Sequence, residues 1–475
     1  MNIVLVIFDT LRQDHLGAYG NAWVKTPNFD AFAGEAVRFT RAYSETLPTV
    51  PVRRTLHTGR RVFPFHDHRE FKGAGGGILG WAPIPEQQDT VAETLSSRGY
   101  RGALITDTYH QFKPAMNFHR GFDEWVWVRG QEGDAYRSGP AVSDELMSRH
   151  SYGPRETRQG MAKYLETHFR NNSQRSTEKD YSPARLFGEA SRWVRDNIDA
   201  DRFLLVVDSF DPHEPWDPPA RYRELYDADD EVTEVVGTLH GTWQDKISAR
   251  ELRRLQANYA GEVTVVDRWF GHLMEALRST GRLEDTVVAV ISDHGHNLGW
   301  DPGDKGMVGK QGHPATHAVN DLVLMIRHPS GERAGSVCDK LMYNHDVIAT
   351  LLSMIGEEMP GQVDGVDVWP AIDRSAPAVR SHVTTAWGPL VTVVTDEWWF
   401  NTSMWGEGKL LYRVREDAGL ERNLCEDFPE VCEELLGLAI EDAGGHIPGH
   451  FEEFRGRPWC VPFEDLAGWV WAQYA

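Results

Sequence analysis

The chain is short of three things. Of its 475 residues only four are cysteine, Cys338, Cys425, Cys432 and Cys460, all in the last third. That is too few to staple a chain of this length, so the thiols are expected to be reduced and the protein cytoplasmic. Long apolar runs are also missing: no stretch approaches the ~18 to 20 apolar residues that a membrane-spanning helix needs. The apolar run at 3–8 has no basic leader and no small-residue cleavage site, and is expected to be a strand rather than a signal peptide. The third shortage is positive charge. Lys plus Arg total 49 against 71 Asp plus Glu, a formal net charge of −22. Such a field repels polyanions, which argues against nucleic acid and anionic membranes as partners. A small anion stays admissible wherever local cations or a metal reverse the potential.

What is present is a rhythm of short apolar runs alternating with longer amphipathic segments. It predicts an α/β fold with a central, mainly parallel sheet flanked by helices on both faces. Strands are expected at 3–8, 102–105, 203–207, 286–291 and 322–326, each ending at polar residues that could do chemistry. In open α/β sheets ligands bind beyond the carboxyl ends of strands, so these ends should converge on one rim. Helices are expected at 27–37, with Thr26 as N-cap and Pro27 in the first position, at 184–198 and at 248–277. Residues 129–180 show no clean period and read as an excursion or lid on a catalytic domain spanning 1–379. Strand candidates at 383–386, 390–395, 398–402 and 410–414, then a helix near 429–438, predict a small antiparallel α+β subdomain over 380–475.

Asp9 directly follows the first strand, and Asp293 and His294 follow the strand at 286–291. Two carboxylates and an imidazole held at strand ends make a plausible metal site. A third segment, 49–59 (TVPVRRTLHTG), carries Pro51 ahead of a helical run and so puts Thr49 at a helix N-terminus, with Arg53 one turn along. Free N–H groups and the positive dipole end favour an anion there.

With these residues assembled, the sequence resembles the sulfatases and the phosphonate monoester and phosphodiester hydrolases of the alkaline phosphatase superfamily. The resemblance rests on motifs in family order: 8–20 (FDTLRQDHLGAYG), 26–30 (TPNFD), 120–123 (RGFD), 211–215 (DPHEP), 292–295 (SDHG) and 346–352 (DVIATLL). It implies an alkaline-phosphatase-like fold. It also aligns Thr49 with the nucleophile, with Pro51, Arg53, Leu56, Thr58 and Gly59 in register and Val52 where a serine is usual. A threonine cannot be oxidised to formylglycine, so the resemblance points to a threonine alkoxide attacking phosphorus and a covalent phospho-threonine. A sulfatase that works without formylglycine is the alternative, and a non-catalytic sulfatase-like binding protein a third reading.

The same resemblance implies one divalent metal held by Asp9, Thr49, Asp293 and His294. Thr10 stands where typical sulfatases have a second Asp, and His294 where they have Asn. Exchanging oxygen ligands for an imidazole favours Mn, Zn or Fe over Ca. Asp211, His213, His313 and His317 are candidates for a second metal. His213 aligns with the histidine that assists the leaving group. Lys310 aligns with the lysine that neutralises the transferred group, so that Arg53 and Lys310 are expected to hold its oxygens. Thr108, Tyr109 and His110 follow the strand at 102–105 as substrate-binding candidates, with Thr108 in a slot where sulfatases carry lysine. The partner implied is a small anionic ester, and a homo-oligomer is admissible.

Overall fold

The computed structural model describes the chain except residues 69–77, 113–114, 151–154, 230–233, 237–240, 245, 301, 311–314, 360, 362, 374 and 456–475, and except the side chains of 155–161. His313 and Cys460 therefore lie outside the described residues.

One eight-stranded sheet organises the molecule. Its strands are β1 (Asn2–Phe8), β2 (Val37–Phe39), β3 (Arg101–Thr106), β4 (Glu124–Trp127), β5 (Phe203–Ser209), β6 (Thr286–Ser292), β7 (Leu324–Arg327) and β8 (Val337–Cys338), in the order β8-β2-β7-β6-β1-β5-β3-β4. β1, β3, β4, β5 and β6 run parallel to their neighbours in that series, while β7 lies antiparallel between β6 and β2. The mainly parallel sheet expected from the sequence is present. Both faces are buried. Ile3, Leu5 and Ile7 enter one hydrophobic core, and Val4, Val6 and Phe8 enter the other. That two-sided burial is why β1 reads as a continuous apolar run rather than an alternating one.

Helices cover the faces: α1 (Pro27–Glu35), α2 (Thr49–Thr58), α3 (Asp144–His150), α4 (Arg155–Asn171), α5 (Ser182–Asp196), α6 (Ala249–Ser279), α7 (Asp346–Ile355) and α8 (Pro429–Asp442). The first helix stops earlier than expected, because Val37 leaves it to pair β2 with β7 in the sheet. The last of the five expected strands likewise begins at Leu324 rather than 322, as Leu322 instead bridges Arg12. The stretch 129–180 carries α3 and α4, whose period was obscured by a polar composition. α6 runs 31 residues from a capping box in which Ser248 Oγ accepts from Glu251 N–H and the Glu251 carboxylate accepts from Ser248 N–H.

The four antiparallel strands β9 (His382–Trp387), β10 (Leu390–Thr395), β11 (Trp398–Ser403) and β12 (Leu410–Arg413) form a second sheet with α8 against it. This sheet does not stand apart from the catalytic segment. Ala386 N–H donates to Glu45 O at 2.9 Å, Leu47 N–H donates to Ala386 O at 2.8 Å, and Val391, Val393 and Phe400 share one core with Leu56 of α2. The chain entering α2 is thereby clamped between the two sheets.

Candidate active site and metal centre

Strand register brings the chemistry together. Phe8 lies opposite Ser209 of β5 and Ser292 of β6, so Asp9 and Asp293 emerge at one level just beyond adjacent parallel strands, while Asp208, opposite Ile7, sits two residues back on β5. Sheet-type bonds continue past the strand ends: Asp9 N–H donates to Ser209 O at 2.9 Å and Asp293 N–H to Phe8 O at 3.0 Å.

Asp9, Asp293 and His294 each offer a ligand atom within 4.8 Å of the others, and all three are fully buried. Asp293 Oδ1 accepts from Thr10 N–H at 3.0 Å and from His294 N–H at 2.6 Å. His294 Nδ1 bonds the carbonyl of Gly295 at 2.9 Å, so that nitrogen carries the proton and Nε2 presents its lone pair. Nε2 lies 3.6 Å from Asp293 and 4.0 Å from Asp9. Among the described residues, neither Asp9 oxygen nor His294 Nε2 has a hydrogen-bond partner. Burial and the facing Asp293 carboxylate push Asp9 well above the usual carboxylate range. A buried carboxylate pair with a lone-pair-bearing imidazole fits a divalent cation, which would relieve that repulsion. The mixed nitrogen and oxygen donors suit a transition metal.

The glycine of the Asp-His-Gly run is set by packing. Gly295 N–H donates to Val319 O at 2.9 Å, and a Cβ on Gly295 would meet Ala318 O at 1.9 Å. Gly295→Ala must therefore displace the His294 loop. We expect its affinity for Mn²⁺ by calorimetry to fall about tenfold or more, and wild-type affinity would refute this account of the glycine.

Thr49 is the first residue of α2, as the sequence predicts, and is buried. Arg53, one turn on, donates from Nη1 to Thr49 O at 3.3 Å and to Asp293 at 2.6 Å. The same Nη1 lies 3.1 Å from Asp9. Its Nε and Nη2 grip Asp208 at 2.9 and 2.8 Å. Arg53 was expected to hold substrate oxygens. Its donors are instead committed to three buried carboxylates and the Thr49 carbonyl, because β1, β5 and β6 deliver those acids to one spot. Thr108 Oγ1 donates to Asp208 at 3.1 Å and so braces the same ion pair.

On the other side of the site, Lys310 Nζ hydrogen-bonds His213 Nε2 and lies 3.3 Å from Glu214 Oε2. His213 Nδ1 bonds Glu214 O at 2.6 Å, and its ring stacks on Phe210. Burial pushes His213 down to about 4, with Lys310 adding to the effect and Glu214 opposing it, so the ring is neutral near pH 7. Tyr109 and His110 converge on Glu132: the Tyr109 hydroxyl donates at 2.6 Å and His110 Nε2 lies at 3.3 Å.

Among the described residues, the second-metal candidates Asp211, His213 and His317 form no cluster of ligand atoms. Asp211 accepts from Gln131 and His317 pairs with Asp321, and the described residues hold no other cluster of ligand atoms as tight as Asp9–Asp293–His294. Residues missed in the sequence are Asp208, Glu132, Glu214 and His296. Asp208 was findable, since it lies one residue beyond the expected end of its strand. Glu214 lies in the 211–215 motif used for its neighbour, and His296 stands one residue beyond the 292–295 motif.

The family model for sulfatases matches residues 1–357. An arylsulfatase of Clostridium perfringens is 25% identical over 410 residues, covering 80% of each chain. A multifunctional alkaline phosphatase superfamily protein, PehA of Trinickia caryophylli, is 24% identical over 418 residues, covering 79% of this chain and 78% of its own. The crystal structure of a phosphonate monoester hydrolase of Agrobacterium radiobacter superposes with a TM-score of 0.68 at 20% identity, covering 94% of this chain and 96% of its own. With three quarters of its length matched by the family model, the chain belongs to the sulfatase family of the alkaline phosphatase superfamily and is a hydrolase of that family.

Proposed function

We propose that the chain hydrolyses phosphodiesters or phosphonate monoesters, with Thr49 as nucleophile. The observation that carries this reading is a threonine, which cannot become formylglycine, at the N-terminus of α2 and joined through Arg53 to Asp9 and Asp293. A divalent Mn, Zn or Fe ion held by Asp9, Asp293 and His294 with Thr49 would supply Lewis-acid stabilisation and lower the pKa of the hydroxyl.

The remaining chemistry belongs to the chain. Free N–H groups in the first turn of α2 face the anion. Thr49 Oγ, its proton released to solvent, bonds to phosphorus as the bond to the leaving oxygen breaks. The leaving oxygen takes a proton from the Lys310–His213 pair, in which the ammonium is the proton-bearing member because His213 is neutral. Water then cleaves the phospho-threonine. Tyr109 and His110, held by Glu132, line the leaving-group side.

The likeness to an arylsulfatase favours a second reading, sulfuric ester hydrolysis without formylglycine. Protein stripped of metal and reloaded with Mn, Zn, Fe or Ca separates the two when assayed on a bis-aryl phosphate, an aryl phosphonate and an aryl sulfate. The first two substrates should turn over with Mn or Zn at rates about tenfold or more above Ca. Fastest turnover of the sulfate would support the second reading, and no turnover of any substrate would overturn both.

A further inference from the structure

Four cysteines in a chain of this length predict isolated thiols, yet the fold brings two of them together. Cys425 lies in the loop after β12 and Cys432 in the first turn of α8, and their sulfurs are 3.1 Å apart. Each is held by its own surroundings. Leu424 N–H, one residue before Cys425, donates to Leu411 O at 2.8 Å, and Cys425 N–H donates to Asn423 Oδ1 at 3.1 Å. Cys432 N–H donates to Phe428 O at 3.3 Å, and its side chain is buried in one core with Leu435 and Ala439. A disulfide needs about 2.05 Å between sulfurs, so closing the pair asks for a movement of about 1 Å. Rotation of the half-buried Cys425 side chain supplies it.

We propose that Cys425 and Cys432 are a reversible disulfide site, independent of the reaction above, whose co-reactant is a low-molecular-weight disulfide such as oxidised glutathione. Cys432 is buried and Cys425 half-buried, so Cys425 is the thiol an incoming disulfide can reach. Its thiolate attacks one sulfur of the glutathione disulfide, whose bond breaks to leave a mixed disulfide and one glutathione. The Cys432 thiolate then attacks Cys425 Sγ, and the second glutathione leaves. The two cysteine protons end on the two glutathione thiols, so the protein loses two electrons and the glutathione disulfide gains them. Burial, with the Cys432 thiol adding to it, pushes Cys425 up to about 12. Such a thiol is a poor leaving group, so the closed bond is slow to open. Closure ties the loop after β12 to the helix that packs on β10 and β11.

The test equilibrates the wild-type protein with excess oxidised glutathione, quenches it in acid, unfolds and alkylates it, and digests it with trypsin. Cleavage after Arg422 and Arg455 leaves both cysteines on one peptide, 423–455. The expected result is that peptide without alkyl groups and ~2 Da below its dithiol mass, returning to the doubly alkylated form after dithiothreitol. Because the fold holds the sulfurs together, protein unfolded in urea should close the same pair with an equilibrium constant about tenfold or more lower. Both cysteines alkylated in the folded protein, a link from either to Cys338 or Cys460 instead, or equal closure in folded and unfolded chains overturns the proposal. Two variants test the order of attack. Cys432→Ser should retain one glutathione on Cys425, whereas Cys425→Ser should leave Cys432 free of it, and the reverse pattern overturns the assignment of Cys425 as the entry thiol.

Discussion

Replacing Thr49 by alanine is expected to lower kcat on a bis-aryl phosphate by about 10⁴-fold or more, the scale seen when a covalent nucleophile is deleted. The circular dichroism spectrum should not change. Thr49 sits in the first turn of α2 with its carbonyl bonded to Arg53, and the substitution leaves that backbone bond in place. Alanine is also a good helix former, so α2 should persist. Serine at the same position keeps the hydroxyl and should retain activity within about tenfold of wild type. Acid quenching during turnover should trap a phosphoryl group on the peptide containing Thr49 in the wild-type protein and not in Thr49→Ala. Retained turnover by the alanine variant would remove Thr49 from the chemistry.

The second large effect is on stability. Arg53 is fully buried and carries the ion pairs of Asp9, Asp208 and Asp293, themselves fully buried. Arg53→Met keeps most of the volume and removes the charge, leaving three carboxylates without their guanidinium. Taking one partner from a buried pair costs about 3–5 kcal/mol, and that loss is expected in urea unfolding of the metal-free variant. Because Asp9 and Asp293 also belong to the metal triad, Mn²⁺ should restore part of the loss, and the metal-induced stabilisation should be larger in Arg53→Met than in wild type. Arg53→Lys keeps a charge but not the two-pronged grip on Asp208, and should fall between them. A metal-free Arg53→Met as stable as wild type would show that the guanidinium does not hold these acids together.

The frame of this molecule was legible because parallel strands buried on both faces leave an unmistakable trace. Ile3 to Phe8 and Val287 to Ile291 are uninterrupted apolar runs, and the rule that ligands gather beyond strand carboxyl ends led directly to Asp9, Asp293 and His294. Pro51 within the first turn and Gly59 at a left-handed C-terminus bracketed α2 in the same way. The arrangement around Arg53 was not legible. Its neighbours arrive from β1, β5 and β6, and nothing local to residue 53 reveals that its donors will be spent on acids. The polar helices α3 and α4 were missed for a related reason: a mostly hydrophilic surface gives no apolar stripe to count. Glu214 escaped because a motif draws the eye to its histidine, whereas its own meaning depends on Lys310, nearly a hundred residues away.

Asp9 and Asp293 take their places through the backbone bonds that continue the β5–β1–β6 pairing beyond its last rungs. The consequence is kinetic. No fragment that stops before β6 brings the candidate ligands together, since Asp293 and His294 meet Asp9 only once β6 has been made and paired beside β1. Pairings of such long sequence separation are slow to close. A divalent ion taken up at this site would therefore join a finished sheet rather than act as a template for the nascent chain.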